Sequence, residues 1–364
     1  MVATTIESSP ASSLDHDPYR VSVDEYMTFR WQGFLVVRNL VSAEDVKELK
    51  NHTQDLMMGK LPEQAGTVLN ETSDKMSGTA VQALKAPPAH LSPEEKGDYF
   101  LRLHMLHREL ELHERYLLYP RVLDVLQALI GPDVLALQTM LFLKGPGKPG
   151  QGWHQDSYYI PTHPDSLCGA WIAIDDCDER NGAMWFASGS QHEPVYPPES
   201  GYGFGDHQLT GVSGVKGVSN PDDEQNDLTT IAERYPQLLV AAQPGDVVFF
   251  GGHVLHRSKK NWSTDRFRRS FVGHYCNARS FTQWNDGDKS DVDPVTLGSN
   301  QLHILARGDT HLPFATPRFG TPCSALLSPE DRKHESEYAA MMMGDMESGM
   351  MGSTAADPTM VDDH

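Results

Sequence analysis

The second half of the chain contains a series of short apolar segments separated by turn-forming residues, and this pattern constrains the fold more than any other feature. The series begins with VLALQTMLFLK at Val134 and ends with RRSFVGHYC at Cys276. Parallel strands need long crossover connections, usually helical, and no such connection separates these segments. Short strands joined by turns predict an antiparallel barrel or sandwich.

The first third of the chain has a different pattern. The stretch FLVV at Phe34–Val37 predicts one strand, and Ser42 and Ser92 each stand where a helix N-cap is expected. Residues 99–130 are rich in Leu, His and Glu and predict helices that are interrupted at Pro120. The sequence therefore predicts a mainly β protein with a helical N-terminal part.

Charge and composition exclude several classes of protein. The 364 residues carry 30 Lys and Arg against 50 Asp and Glu, a formal net charge of −20, which argues against binding to nucleic acid. No segment approaches the roughly 20 apolar residues that span a bilayer, and the first residues do not resemble a signal peptide. Four cysteines in so long a chain do not suggest a disulfide framework. We expect a cytoplasmic protein with no nucleic-acid or membrane partner.

The motif WHQD offers two metal ligands on one strand. His154 and Asp156 are separated by one residue, so both side chains would project from the same face of an extended segment. A third ligand at His256 would complete a set of two histidines and one carboxylate, which leaves positions open on Fe(II). His253, three residues earlier, is the alternative to His256.

A basic segment follows this third ligand. Arg268 stands at the start of the next predicted strand, and a hairpin would bring it beside the end of the previous strand. A buried arginine there could bind a dicarboxylate through paired hydrogen bonds, and Ser258 could donate another. Arg266 and Arg269 are the alternatives to Arg268.

Three stretches together resemble the phytanoyl-CoA dioxygenase family of Fe(II)/2-oxoglutarate-dependent oxygenases. They are WHQDSYY, GAWIAIDDCDERNGAMWFASGSQH and the segment from PGDVVFF through His256, Ser258 and Asn261 to Arg268. The resemblance covers about residues 20–278 and is strongest over 134–278. The usual spacing in the family is one residue shorter and would reach Phe267, but the alignment of FRRSFVGHY favours Arg268.

The resemblance implies a double-stranded β-helix (jelly-roll) core with supporting N-terminal helices. It implies His154, Asp156 and His256 as ligands of Fe(II), with 2-oxoglutarate and O₂ as co-substrates. Arg268 and Ser258 would hold the distal carboxylate of 2-oxoglutarate, near Trp171. Residues that would line the substrate pocket are Met140, Gln155, Tyr158 and Tyr159.

Local composition and the resemblance together suggest how the chain is divided. We expect a disordered N-terminus at 1–18, a single oxygenase domain at 19–327 and a Met-rich acidic tail at 328–364. Within the domain we expect a helical part at 19–133, the jelly-roll core at 134–280 with an insertion at 193–237, and a C-terminal extension at 281–327. The insertion is a candidate lid over the site.

Asp156 bears on the type of reaction that the resemblance implies. Related halogenases have Gly or Ala at this position, so a carboxylate here favours hydroxylation of a small-molecule or acyl-type substrate, with release of succinate and CO₂. The alternatives are desaturation, epoxidation or cyclisation by the same oxidant, and a metal-binding jelly-roll protein without catalysis.

Further side chains near these motifs have two interpretations. Trp185 and the two tyrosines could form an aromatic pocket or could simply pack in the core. Three histidines in the predicted helices are expected to have surface or packing roles: His104, His107 and His113.

Overall fold

The structure, a computed structural model, describes residues 17–64, 86–196, 226–282 and 303–308. Within these ranges the chain forms two larger antiparallel sheets and one two-stranded sheet, with helices packed against one of the larger sheets. The predicted N-terminal disorder, the lid and the Met-rich tail lie wholly or largely outside the described residues.

Serine caps begin three of the helices. The side chains of Ser22, Ser42 and Ser92 each accept a hydrogen bond from the backbone N–H three residues later, so the helix starts predicted at Ser42 and Ser92 are confirmed. The helices are α1 (Val23–Gln32), α2 (Ala43–Met57), α3 (Pro93–Gly97), α4 (Glu111–Leu117), α5 (Pro120–Ile130) and α6 (Leu228–Ala232).

The larger sheet has seven antiparallel strands. Six of them lie in the order β1 (Phe34–Val37), β9 (Val247–Gly251), β6 (Cys168–Ala173), β11 (Arg268–Asn277), β3 (Val134–Lys144) and β13 (Ile304–Arg307). The seventh, β2 (Arg102–His104), also pairs with β3.

The smaller sheet has four antiparallel strands. Their order is β4 (Gln151–His154), β10 (His256–Ser258), β7 (Met184–Ala187) and β8 (Gln237–Val240). A two-stranded sheet pairs β5 (Thr162–His163) with β12 (Phe281–Thr282).

The seven-stranded sheet is buried on both faces. Phe271 of β11 packs with the helices, in a cluster that includes Leu49 and Leu126. The next residue, Val272, points to the other face and packs with residues of the smaller sheet such as Phe186. Because successive side chains of a strand alternate between faces, a strand covered on both sides must be apolar almost throughout.

Two local predictions are wrong. Residues 102–104 form β2 rather than helix, because the edge of β3 offers unpaired backbone groups that a neighbouring segment can satisfy. The expected hairpin between the strands of His256 and Arg268 is also absent, since β10 belongs to the smaller sheet and β11 to the larger. Residues 259–267 therefore cross from one sheet to the other.

None of the helices in the described ranges combines the length and the apolar character needed to cross a bilayer.

Candidate metal centre

The predicted metal ligands come together at the end of the smaller sheet. His154 is the last residue of β4 and His256 the first of β10, and the two are direct partners in the antiparallel register. Asp156 lies just beyond the strand, at the start of a 3₁₀ turn over 156–158, with the intervening Gln155 extended. The pairing of β4 with β10 therefore closes the 102-residue separation of the two histidines.

All three side chains are buried and their ligand atoms face a common point. One ligand atom from each residue lies within 4.8 Å of the others. Asp156 Oδ1 is 3.6 Å from His154 Nε2 and 3.7 Å from His256 Nε2. In the part of the chain that the structure describes, this is the only such group of His, Cys, Asp or Glu.

Hydrogen bonds on the far side of each imidazole fix its orientation. His154 Nδ1 lies 2.8 Å from the carbonyl of Gly152, and His256 Nδ1 lies 3.1 Å from the carbonyl of Val254. A carbonyl only accepts, so each Nδ1 carries the proton and each Nε2 presents a lone pair to the shared point. The amide nitrogen of Gln151 donates to that lone pair on His154 at 3.1 Å.

Protonation states also suit a divalent cation. Burial and, to a smaller extent, the neighbouring His256 lower the pKa of His154 to about 3, so this imidazole is neutral at ordinary pH. Burial by itself raises the pKa of Asp156, but His256, the hydrogen bond from His274 and His154 outweigh burial and hold it below its ordinary value. Two imidazoles and one carboxylate are the donor set of many non-haem Fe(II) sites, and the neutral His154 and the ionised Asp156 are in the forms that bind metal.

A second polar cluster lies at the start of β11. Arg268 is 3% exposed, and its Nη1 donates to Ser270 Oγ at 3.2 Å. Its Nε has no hydrogen-bond partner among the described residues, and burial lowers its pKa. A buried guanidinium with an unused donor is suited to binding an anion.

Lys144 adds a second buried cation to this cluster and was missed from the sequence. It lies opposite Arg268 in the β3–β11 register and is 3% exposed. Its ammonium donates to Ser258 Oγ and to the Lys259 carbonyl, both at 2.8 Å.

Trp171 lies on the same side of the sheet as this cluster. The guanidinium carbon of Arg268 is 5.9 Å from the Trp171 ring centroid and 5.7 Å from that of Phe142. The indole Nε1 of Trp171 is buried without a hydrogen-bond partner in the described ranges. Two aromatic rings and an indole N–H without a partner therefore lie beside the buried guanidinium.

The four residues predicted for the substrate pocket have different surroundings. Tyr159 lies beside the ligands, with its ring centroid 6.4 Å from that of His154, and Tyr158 packs edge-on against Tyr159. Met140 lies opposite Val272 on the face between the two sheets. Their role in binding substrate stays a prediction.

Gln155 is fully engaged by backbone groups. Its amide nitrogen donates to the carbonyls of His253 and Pro194, and its oxygen accepts from the N–H of Tyr196. In this structure the side chain anchors the start of the 193–237 insertion to the metal motif, and its predicted contact with substrate stays a prediction.

The alternatives to the chosen site residues have other partners. His253 Nδ1 lies 3.1 Å from the Glu193 carbonyl, outside the ligand group. Arg266 forms a half-exposed ion pair with Asp178. Arg269 points to the opposite face of β11 from Arg268 and binds Asp175 through two hydrogen bonds.

The remaining candidates lie away from the ligand group. Trp185 faces away from His256, and Nζ of Lys259 lies over the indole ring, 4.5 Å from its centroid. Of the three N-terminal histidines, His107 and His113 are buried and His104 is partly buried on β2. Surface or packing roles were expected for all three, and burial favours packing for His107 and His113.

His274 and Gln138 were also missed. His274 Nε2 lies 2.9 Å from Asp156 Oδ2, and Gln138 Nε2 lies 3.1 Å from His274 Nδ1. His274 stands six residues after Arg268 on the same strand, an even spacing that places both side chains on one face. That periodicity was a usable signal for His274, whereas the contact of Gln138 depends on the pairing of β3 with β11.

Comparison with known proteins gives a consistent result. The family model for phytanoyl-CoA dioxygenase (PhyH) matches residues 29–270. The peroxisomal phytanoyl-CoA dioxygenase of Rattus norvegicus is 25% identical over 262 residues, covering 70% of this chain and 68% of the rat protein. A probable phytanoyl-CoA dioxygenase of Caenorhabditis elegans is 27% identical over 265 residues, covering 71% and 76% of the two chains. Because the rat relative is peroxisomal, the cytoplasmic location stays a prediction.

The fold is also shared with a solved enzyme. The non-heme α-ketoglutarate-dependent epimerase SnoN from nogalamycin biosynthesis superposes with a TM-score of 0.51 at 17% identity, covering 82% of this chain and 95% of SnoN. The resemblance found in the sequence is thus confirmed, together with the class of enzyme that it implied, a dioxygenase. By the match over most of its length, this chain belongs to the phytanoyl-CoA dioxygenase family.

Proposed function

We propose that this protein is an Fe(II)- and 2-oxoglutarate-dependent dioxygenase that hydroxylates a small-molecule or acyl-type substrate and releases succinate and CO₂. The observation that carries the proposal is the convergence of His154, Asp156 and His256, whose ligand atoms lie within 4.8 Å of one another in a buried site. Family membership and the shared fold with SnoN support it.

The three ligands would hold iron on one side only. Two imidazole nitrogens and one carboxylate oxygen occupy three positions, which leaves the others for co-substrates. When bound, iron supplies the oxidising chemistry by which O₂ decarboxylates 2-oxoglutarate and an oxygen atom enters the substrate. The hydrogen bonds from the two Nδ1 atoms to backbone carbonyls keep both rings oriented for this.

The buried cations would hold 2-oxoglutarate by its distal carboxylate. Arg268 offers an unused donor, and Ser258 and the ammonium of Lys144 lie beside it. Trp171 would cover the carbon chain. A buried guanidinium with an unused N–H is suited to a carboxylate, because hydrogen bonds between ionised groups are stronger than those between neutral groups.

The retained carboxylate favours hydroxylation over halogenation. Asp156 occupies a ligand position that related halogenases leave vacant, and its depressed pKa keeps it ionised and able to bind metal. Its hydrogen bond with His274 leaves only Oδ1 directed at the histidines.

The two packed sheets support a double-stranded β-helix core. Antiparallel strands alternate between the sheets along the chain, as β9, β10 and β11 do, and the metal ligands stand at one end between the sheets. This arrangement is consistent with a single catalytic domain that includes β1, β2 and β13 from outside the expected core.

Succinate formation tests the function directly. Purified protein is incubated with Fe(II), ascorbate, O₂ and 2-oxoglutarate, with and without candidate substrates, beside His154→Ala as the inactive reference. We expect substrate-dependent succinate from the wild type only. Wild-type turnover that stays at the His154→Ala background with every substrate would contradict the proposal.

A pair of histidine variants checks the choice of the third ligand. We expect His256→Ala to lose Fe(II) binding and His253→Ala to retain it, because His256 directs Nε2 at Asp156 whereas His253 contacts Glu193 and Asp165. The reverse result would show that the ligand set has been misassigned.

A further inference from the structure

A chain of buried hydrogen bonds extends from the metal carboxylate into the seven-stranded sheet. Asp156 Oδ2 lies 2.9 Å from His274 Nε2, and His274 Nδ1 lies 3.1 Å from Gln138 Nε2. Exposure of the three residues is 9%, 4% and 5%, respectively. Both ring nitrogens of His274 are engaged in these two contacts, so neither is available to bind the metal.

The polarity of the chain follows from chemistry alone. A carboxylate oxygen only accepts, so His274 Nε2 must carry the proton that it shares with Asp156. In the neutral ring Nδ1 is then an acceptor, and the group of Gln138 that can donate to it is the amide nitrogen. Gln138 therefore selects the tautomer of His274 that donates to Asp156.

The backbone makes this arrangement rigid. His274 lies on β11, a central strand of the larger sheet, directly opposite Gln138 on β3 and Gly169 on β6. The ring of Phe250 covers Gly169, where a Cβ would clash with that ring. The two histidine ligands lie on the smaller sheet, and Asp156 lies in the turn that follows β4. The hydrogen bond between Asp156 and His274 therefore also links the smaller sheet to the larger one.

We propose that His274 is a positioning residue, which occupies one oxygen of Asp156 so that only the other, Oδ1, binds the metal. Oδ1 is the oxygen 3.6 Å from His154 Nε2 and 3.7 Å from His256 Nε2. A carboxylate free to rotate could bind through both oxygens and fill a position that a co-substrate needs. This inference rests on the proposed metal site.

Metal titration of the purified protein tests the proposal without any turnover. Binding of Fe(II) without oxygen, and of Co(II), is measured by calorimetry for the wild type and for His274→Leu, His274→Gln and Gln138→Leu. The visible spectrum of bound Co(II) gives a second readout, because it responds to the number of ligands. Folding of each variant is checked by thermal unfolding.

We expect His274→Leu to weaken metal binding about 10- to 100-fold, the range found when such supporting partners are removed. The Co(II) spectrum should shift towards a higher coordination number. His274→Gln should remain close to the wild type, because a glutamine amide can donate to Asp156 and accept from Gln138. Gln138→Leu should have a metal affinity between those of His274→Leu and His274→Gln. In this variant the His274 ring keeps its position but loses the hydrogen bond that selects its tautomer.

His113→Leu provides a matched control. His113 is a buried histidine on α4 that packs against Phe271, a residue of the same strand as His274, and no contact between it and the proposed ligands is found. It should leave metal affinity and spectrum unchanged. The inference is wrong if His274→Leu and Gln138→Leu both bind metal with wild-type affinity and spectrum. Wild-type protein that binds neither metal would instead overturn the proposed function, and the positioning role with it.

Discussion

Lys144 and Arg268 lie directly opposite each other on neighbouring strands of the seven-stranded sheet, and both are almost fully buried. Like charges opposite one another destabilise a sheet unless a further group compensates them. The ammonium of Lys144 donates to the hydroxyl of Ser258 and to the carbonyl of Lys259, while Nε of Arg268 keeps an unused donor. In the proposed function, the distal carboxylate of 2-oxoglutarate binds beside this pair.

Arg268→Ala should weaken 2-oxoglutarate binding with little effect on the metal. Hydrogen bonds to charged groups contribute about 1.5–3 kcal/mol, which corresponds to a KM for 2-oxoglutarate raised roughly 10- to 100-fold. Steady-state kinetics would measure the KM, and calorimetry the affinity for Fe(II). Arg266→Ala is the matched control, because its ion pair with Asp178 lies near the surface. An effect of Arg266→Ala as large as that of Arg268→Ala would mean that the wrong arginine has been assigned.

Gly182→Ala should disturb the same cluster from the opposite side. Gly182 has a φ of +85°, and a Cβ there would lie 2.6 Å from the Lys259 carbonyl oxygen and 3.2 Å from Lys144 Nζ. We expect a higher KM for 2-oxoglutarate and a loss of stability. Gly147→Ala separates the two effects, since Gly147 also has a positive φ of 77° but a Cβ would meet nothing within 4 Å. It should cost only the backbone strain, about 1–2 kcal/mol, and leave the KM unchanged.

Asp175→Asn should destabilise the whole fold. Asp175 joins the sheet to the helices. It accepts two hydrogen bonds from the Arg269 side chain, at 2.8 and 2.9 Å, and one from the Arg269 backbone N–H at 3.0 Å, and its other contact is an ion pair with Lys50 at 2.9 Å. Removing one partner of a buried ion pair costs about 3–5 kcal/mol, which urea unfolding would detect. Arg115→Gln, in the exposed pair with Glu48, should cost less than about 1 kcal/mol. Equal losses in the two variants would contradict this account.

Stability should fall as the pH drops below about 6.5, the ordinary pKa of histidine. Burial holds the pKa of His113 well below that value, and neither ring nitrogen has a hydrogen-bond partner among the described residues. Between the two pKa values the unfolded chain binds a proton that the folded chain excludes, so each pH unit removes up to about 1.4 kcal/mol per such group. His113→Leu should reduce this slope in urea unfolding of the metal-free protein. An unchanged slope would show that His113 is not kept neutral by folding.

The periodicity of the sequence was sufficient to predict most of the β core. The strands at 134–144, 247–251 and 268–277 coincide with apolar segments that are bounded by turn-forming residues. Local chemistry was also sufficient for the caps at Ser42 and Ser92, since a cap depends only on the next few residues. The strand at 102–104 was not predictable in this way, because it exists only through pairing with β3.

By itself, the sequence determined the kinds of ligand and the class of enzyme. Two local features identified the candidate residues: the spacing of His154 and Asp156, and the basic segment that contains His256 and Arg268. Both features depend only on the order and chemical type of residues close together in the sequence. Only the tertiary structure decided how they meet. Strands distant in sequence are brought into register by burial of both sheet faces, and that pairing placed Lys144 beside Arg268 and Gln138 behind His274. Such contacts depend on which strands become neighbours, and no local pattern specifies that.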